Sequence, residues 1–353
     1  MIYFVYLLVL LVFLYIERRS GEKASRIIRG IIPILYALLI GLRGRHVGVD
    51  THTYYDHFYT YGQWGCNFIE PGFDWLNRMI YAWGGNANIF FLANAFITCF
   101  FFYLALNRLK GAKYSIAALC IYLLSYSFLV NGIRQGIAIS IFIYAYQFIE
   151  KKKILIYCLL ILLASRFHAS SLILLPLYFL NYLSLSNKAV ILIYMASFIG
   201  IIADVSSYLP ELEIGGRNYS YAQDYPSSDA SALGFIVTTA LNIFILALML
   251  KNGSFQKMKV LAYLVLLGFV FKNLGFGSPI IGRVTIYFTW FVYLLYPYIL
   301  IGPGHRPLFK STQVTVFLVI AINSAVWINA LLSSANRLTP YKFYWEEQAT
   351  YIR

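Results

Sequence analysis

The chain has 353 residues, of which 60% are hydrophobic and only 12% charged, about half the charged share of a soluble protein. That composition excludes a soluble globular domain, and the long unbroken apolar runs exclude an outer-membrane barrel, whose segments are short and alternating. Lys and Arg outnumber Asp and Glu by 28 to 14, but in a membrane protein such a bias collects in loops on one face, so it points to no nucleic-acid partner.

The predicted elements form an all-α polytopic membrane protein. About twelve apolar segments are each roughly long enough to cross a bilayer. They lie near 2–16, 27–42, 87–106, 114–130, 132–149, 153–165, 168–183, 189–205, 232–250, 258–274, 283–301 and 312–332. The first, "MIYFVYLLVLLVFLYI", has no basic leader region and no small-residue cleavage site after it, so it reads as a retained helix. The pair at 153–165 and 168–183 is short and closely joined, which leaves ten to twelve spans open. Residues 1–353 read as one integral membrane domain. Four cysteines are present, without the spacing of a disulfide framework or a zinc site.

The linkers give an orientation. Those at 17–29, 107–113, 150–153, 186–188, 251–259 and 302–310 are basic and alternate with the others without a break in phase, so they are expected on the cytoplasmic side. The outer side then carries two long loops, 43–86 and 206–231. Of its eleven basic residues nine are Arg, whereas eleven of the seventeen inner ones are Lys. Topology needs only positive charge. A phosphate site, by contrast, favours the planar, always-charged guanidinium fork.

In chain order, "GLRGRHVGVDTHTYYDHF" (41–58) brings Arg43 and Arg45 off a helix into a glycine-containing turn, followed by Asp50, Thr51, Tyr54 and Tyr55. The alternative is an ordinary juxtamembrane turn. His46, His52 and His57 lie in the same stretch without a metal-ligand spacing. "EPGFDWLNRMIYAWGG" (70–85) predicts an amphipathic helix with Phe73, Leu76, Met79 and Ile80 on one face, and Asp74 and Arg78 as i,i+4 partners. Its aromatic rings suit either sugar stacking or the membrane interface.

"LVNGIRQGIAIS" (129–140) isolates Arg134 among apolar residues. An Arg at membrane depth costs several kcal/mol. Either it snorkels to the outer interface, or Asn131, Arg134, Gln135 and Ala138 share a helix face that lines a cavity. In "ASRFHASS" (164–171), Arg166 and His168 interrupt two apolar segments on the same side. Apolar surroundings would keep the imidazole neutral and able to accept a proton. Arg283 opens a helix in "SPIIGRVTIYF" (278–288), where the positive helix end also favours phosphate. Arg337 lies just past the last span in "SSANRLTPYKFYW" (333–345).

Taken together and in order, "LRGRHVGVDTHTYYDHF", "EPGFDWLN", "NGIRQGIAISIFIYAYQFIEKKK", "FHASSLILLPLYFL", "RVTIYF" and "LTPYKFYW" resemble the EpsG-like, Wzy-type polysaccharide polymerases. Val49 departs from the pattern, where a Gly-Thr-Asp run is expected. The resemblance implies a GT-C-like membrane glycosyltransferase in the bacterial inner membrane with its active site facing the periplasm. It would polymerise undecaprenyl-diphosphate-linked oligosaccharide repeat units toward O-antigen, capsule or exopolysaccharide. Membrane lipids, a flippase and a chain-length regulator are the expected companions.

No cofactor and no metal is expected. Arg134, Arg166 and Arg283 would hold the diphosphate, with Arg43 or Arg45 closing the site. His168 is the leading base and Asp50 the alternative. Asn131, Gln135, Tyr54 and Arg337 would meet the glycan acceptor. Two rival readings are a lipid-linked glycan flippase and a membrane O-acyltransferase. The first would spread charge through the membrane's depth and show inverted repeats. The second would need an acyl-donor site among the short inner loops.

Overall fold

The computed structural model describes residues 1–67, 69–202, 232–276, 278–301 and 312–351, and the loop expected at 206–231 lies outside them. The described residues are helical without a strand, apart from one isolated bridge between Arg43 and Phe343. The helices run α1 (Ile2–Arg19), α2 (Glu22–Gly41), α3 (Thr51–Tyr61), α4 (Pro71–Ala82), α5 (Ala87–Leu106), α6 (Ala112–Leu124), α7 (Tyr126–Asn131), α8 (Ile133–Glu150) and α9 (Ile154–Ser165). A 3-10 stretch follows at Ala169–Asn181. After it come α10 (Asn187–Ala196), α11 (Ile199–Ile202), α12 (Ala232–Lys251), α13 (Ser254–Lys257), α14 (Lys259–Leu274), α15 (Pro279–Thr289), α16 (Phe291–Ile301), α17 (Thr312–Leu332) and α18 (Tyr344–Tyr351).

Among the described residues, three helices are long and apolar enough to cross a membrane: Glu22–Gly41, Ala87–Leu106 and Gly234–Lys251. Several expected spans are instead built from shorter pieces. The 114–130 segment breaks at Ser125, whose hydroxyl turns back to the Ile121 carbonyl at 2.6 Å and meets the Tyr36 hydroxyl at 2.8 Å. A serine bonded in this way bends a helix. The 283–301 segment breaks at Trp290, and Pro297 lies inside the second half. The 168–183 segment adopts the tighter 3-10 form, with Pro176 unable to donate an i→i−4 bond. Many large apolar side chains stay exposed on helix faces, among them Phe4, Leu8, Leu155, Leu159 and Leu192. Water would penalise such faces, and lipid does not. The chain is a membrane protein.

The chain divides into two compact units. The first comprises residues 1–144, 160–168 and 300–353. It holds a cluster of buried tyrosines, Tyr3, Tyr6, Tyr36, Tyr122 and Tyr126, whose rings meet edge-on or tilted. Tyr3 donates to the Leu338 carbonyl at 2.6 Å and Tyr6 to the Tyr122 carbonyl at 3.2 Å. The rings supply apolar bulk while each of these hydroxyls finds a partner, as a water-free interior requires. At the far end of α1, the buried Glu17 carboxylate accepts from Arg29 and Ser25, both at 2.7 Å. This buried ion pair ties α1 to α2.

The second unit comprises residues 145–159 and 169–299. α14 packs on α15 with Phe271 and Phe288 stacked at 5.3 Å. Within this unit Tyr157 donates to the Leu174 carbonyl at 2.6 Å and Asn273 to the Ser197 hydroxyl at 2.9 Å. Arg283 lies here on α15 with an exposed side chain.

Candidate active site

The site belongs to the first unit and is assembled by three separate stretches. The first is the 43–86 loop, which is ordered as expected. Its second helix, α4, begins at Pro71, where the ring's fixed φ suits the first helical position. Phe73, Leu76 and Ile80 are buried on one face of α4, as the spacing predicts. They form a core with Phe58, Phe90 and Phe91.

Glu70 occupies the cap position before α4, yet its side chain makes no capping bond to the helix. The carboxylate, only 4% exposed, turns the other way. One oxygen, Oε2, accepts from Arg134 Nη1 at 2.7 Å. The other, Oε1, lies 3.3 Å from His168 Nδ1, a close electrostatic contact without hydrogen-bond geometry.

Arg134 stands at the start of α8. The expected helix face of Asn131, Arg134, Gln135 and Ala138 loses its first member, because Gly132, with ψ 52°, separates α7 from α8, which carries the other three. Arg134 also lies near the Tyr54 side chain and 6.0 Å from the centre of the Phe73 ring. Its Nε is buried and has no hydrogen-bond partner. A guanidinium carries five donors, and this one has capacity to spare at a position where an unmade bond costs about 1–3 kcal/mol. Gln135 is buried beside it in sequence.

His168 follows α9 in a tight turn, its N–H bonded to the Ala164 carbonyl at 2.9 Å. Gly72 holds that turn in place. Its N–H donates to the Arg166 carbonyl at 2.8 Å, and a Cβ on Gly72 would come within 2.8 Å of the same oxygen. Gly72→Ala is therefore expected to push the turn off α4 and cut activity at least tenfold, with a stability loss of about 1–3 kcal/mol. Activity and thermal unfolding of the purified variant check this. The Arg166 side chain itself is exposed.

Other predicted residues do different work. Arg43 is fully buried. Its guanidinium donates to the Thr51 hydroxyl at 3.1 Å, the Ile40 carbonyl at 2.5 Å and the Val130 carbonyl at 3.1 Å. All three of its nitrogens are engaged within the protein. Arg45 pairs with Asp56 and lies 5.2 Å from the centre of the Tyr55 ring. Asn131 accepts from the Val49 N–H at 2.7 Å and donates to the Ser127 carbonyl at 3.1 Å, so it clamps the turn before α3. Asp50 is exposed in the cap position of α3. Arg337 is exposed in a left-handed conformation, and its carbonyl accepts from the Gly48 N–H at 2.8 Å.

The segment after Arg337 continues along the same turn. Gly44 donates to the Lys342 carbonyl, Tyr344 to the Leu42 carbonyl, and the Glu347 carboxylate accepts from the Arg45 N–H at 2.6 Å.

The structure thus brings Arg134, His168 and Tyr54 to one place, and adds Glu70, which sequence analysis did not select. The available signal was the burial of Arg134: a guanidinium in apolar surroundings requires a counter-charge. His57 lies on the same stretch of α3 as Tyr54. Burial and the positive charge of Arg134 push its pKa below the usual histidine value, against the pull of Asp74. Its buried Nε2 has no hydrogen-bond partner. Among the described residues, no group of three His, Cys, Asp or Glu side chains is placed to hold a metal ion.

The family model for the EpsG family matches residues 26–343. The chain belongs to the EpsG family. The match spans the loop, the start of α8 and the turn after α9, so every residue of the Arg134–Glu70–His168 cluster falls inside it. No curated protein and no solved structure matches the chain. Membership of the EpsG family supports a polysaccharide-polymerase type of role.

Proposed function

We propose that the protein is a glycosyltransferase that polymerises undecaprenyl-diphosphate-linked oligosaccharide repeat units at the periplasmic face of the bacterial inner membrane. The observation that carries this reading is the pairing of Arg134 and His168 on one buried carboxylate, in a chain of the EpsG family.

The growing chain on its lipid diphosphate is the donor. A hydroxyl of the non-reducing sugar of a new repeat unit attacks the donor's anomeric carbon. His168 takes the hydroxyl proton on Nε2. The bond from the anomeric carbon to the phosphate oxygen breaks, and undecaprenyl diphosphate leaves with the electron pair. Arg134, with its unpartnered Nε, meets the charge that develops on the departing phosphate. Tyr54, near Arg134, lines the approach of the sugar. Arg166 and Arg45 add to the diphosphate surface, while Arg43 and Asn131 hold the turn that presents the loop.

In this reading Arg supplies the charge that a divalent cation provides in other transferases. Purified protein in lipid nanodiscs, given only a lipid-diphosphate-linked repeat unit, is expected to build longer glycans without nucleotide sugar and equally well in EDTA. Failure to lengthen the unit would overturn the polymerase reading. Activity lost in EDTA and restored by magnesium would overturn the metal-independent one.

A further inference from the structure

We infer that Glu70 is a positioning residue that sets both the protonation form of His168 and the aim of Arg134. This rests on the reading of His168 as base and Arg134 as phosphate ligand. Three observations carry it. Glu70 occupies a helix cap position but leaves the helix uncapped, so its carboxylate is not needed there for α4. It is buried, where a carboxylate is costly unless paired. Its two oxygens are divided between two partners from different parts of the chain, Arg134 at 2.7 Å and His168 at 3.3 Å.

The chemistry follows from which nitrogen faces the carboxylate. An ionised carboxylate only accepts hydrogen bonds. The negative charge 3.3 Å from His168 Nδ1 favours the tautomer with its proton on that nitrogen, which makes Nε2 the basic one. When Nε2 takes that proton, the imidazolium forms beside a negative charge already in place. The same carboxylate holds Nη1 of Arg134, so the base and the phosphate fork are fixed at one separation. The backbone bond from Gly72 to Arg166 reinforces this, because each lies two residues from the Glu70–His168 contact.

Glu70→Gln keeps the shape and can still accept from Nδ1, but it removes the charge. We expect kcat to fall about 10²–10⁴-fold with a smaller change in KM, and the acid limb of the pH–rate profile to move to lower pH. Glu70→Asp retains the charge and should recover part of kcat. Wild-type kcat and an unchanged profile in Glu70→Gln would overturn the inference. His168→Ala run in parallel separates the two levels: if it stays active, the base reading itself fails. Should Glu70→Gln not fold, nitrogen NMR of the folded wild-type protein labelled at histidine decides the matter. A proton on His168 Nδ1 at neutral pH supports the inference, and the opposite tautomer overturns it.

Discussion

Arg134→Lys is expected to leave a folded protein that elongates glycans about 10²–10³-fold more slowly, the scale of losing one well-placed donor to a developing oxyanion. Lysine keeps a positive charge opposite Glu70, so the buried carboxylate stays paired. What it lacks is the planar fork and the Nε donor, which lies buried and unpartnered in this structure. Arg134→Ala would be a poorer test, because it strands Glu70 and costs about 3–5 kcal/mol of stability. Cells that depend on the lysine variant should display glycans of a single repeat. Normal long chains in those cells would remove Arg134 from the chemistry.

The second large effect is expected at His168. His168→Ala should lower the elongation rate about 10²–10⁴-fold while the thermal unfolding of the purified protein changes little. Asp50→Asn is the paired measurement, since Asp50 is the other candidate base. Asp50 is exposed, whereas His168 is largely covered and faces a buried carboxylate. Near-normal elongation by the Asp50 variant, beside a failing His168 variant, is the expected pattern. The reverse pattern would move the base to α3.

Much of this architecture was legible from residue spacing. The amphipathic face of α4 follows from Phe73, Leu76 and Ile80, and its start from Pro71. The loop from 43 to 86 was legible as ordered from its composition. Arg134 drew attention because nothing near it in sequence offsets its charge. Its partner lies 64 residues away, and no local pattern connects the two.

Arg43 and Arg45 show the opposite difficulty. They are two residues apart and chemically identical, yet one is sealed beneath the loop and the other pairs with Asp56. Which way each points depends on the turn, and the turn depends on Asn131 and on the segment after Arg337. Asn131 and Arg134 looked like one helical stripe because a period of 3.6 places i and i+3 together. A single glycine at 132 ends that periodicity. The broken spans have a similar cause, since Ser125 reads as a tolerable residue in an apolar run until its hydroxyl bonds back to Ile121.

The binding of residues 337–347 to the turn at 42–48 orders events during biosynthesis. Glu347 follows Arg45 by 302 residues, so a ribosome working at about 5–20 residues per second needs roughly 15–60 s to deliver it. During that interval the turn lacks the backbone partners that will complete it. A nascent chain therefore lacks the completed turn until residue 347 has been added.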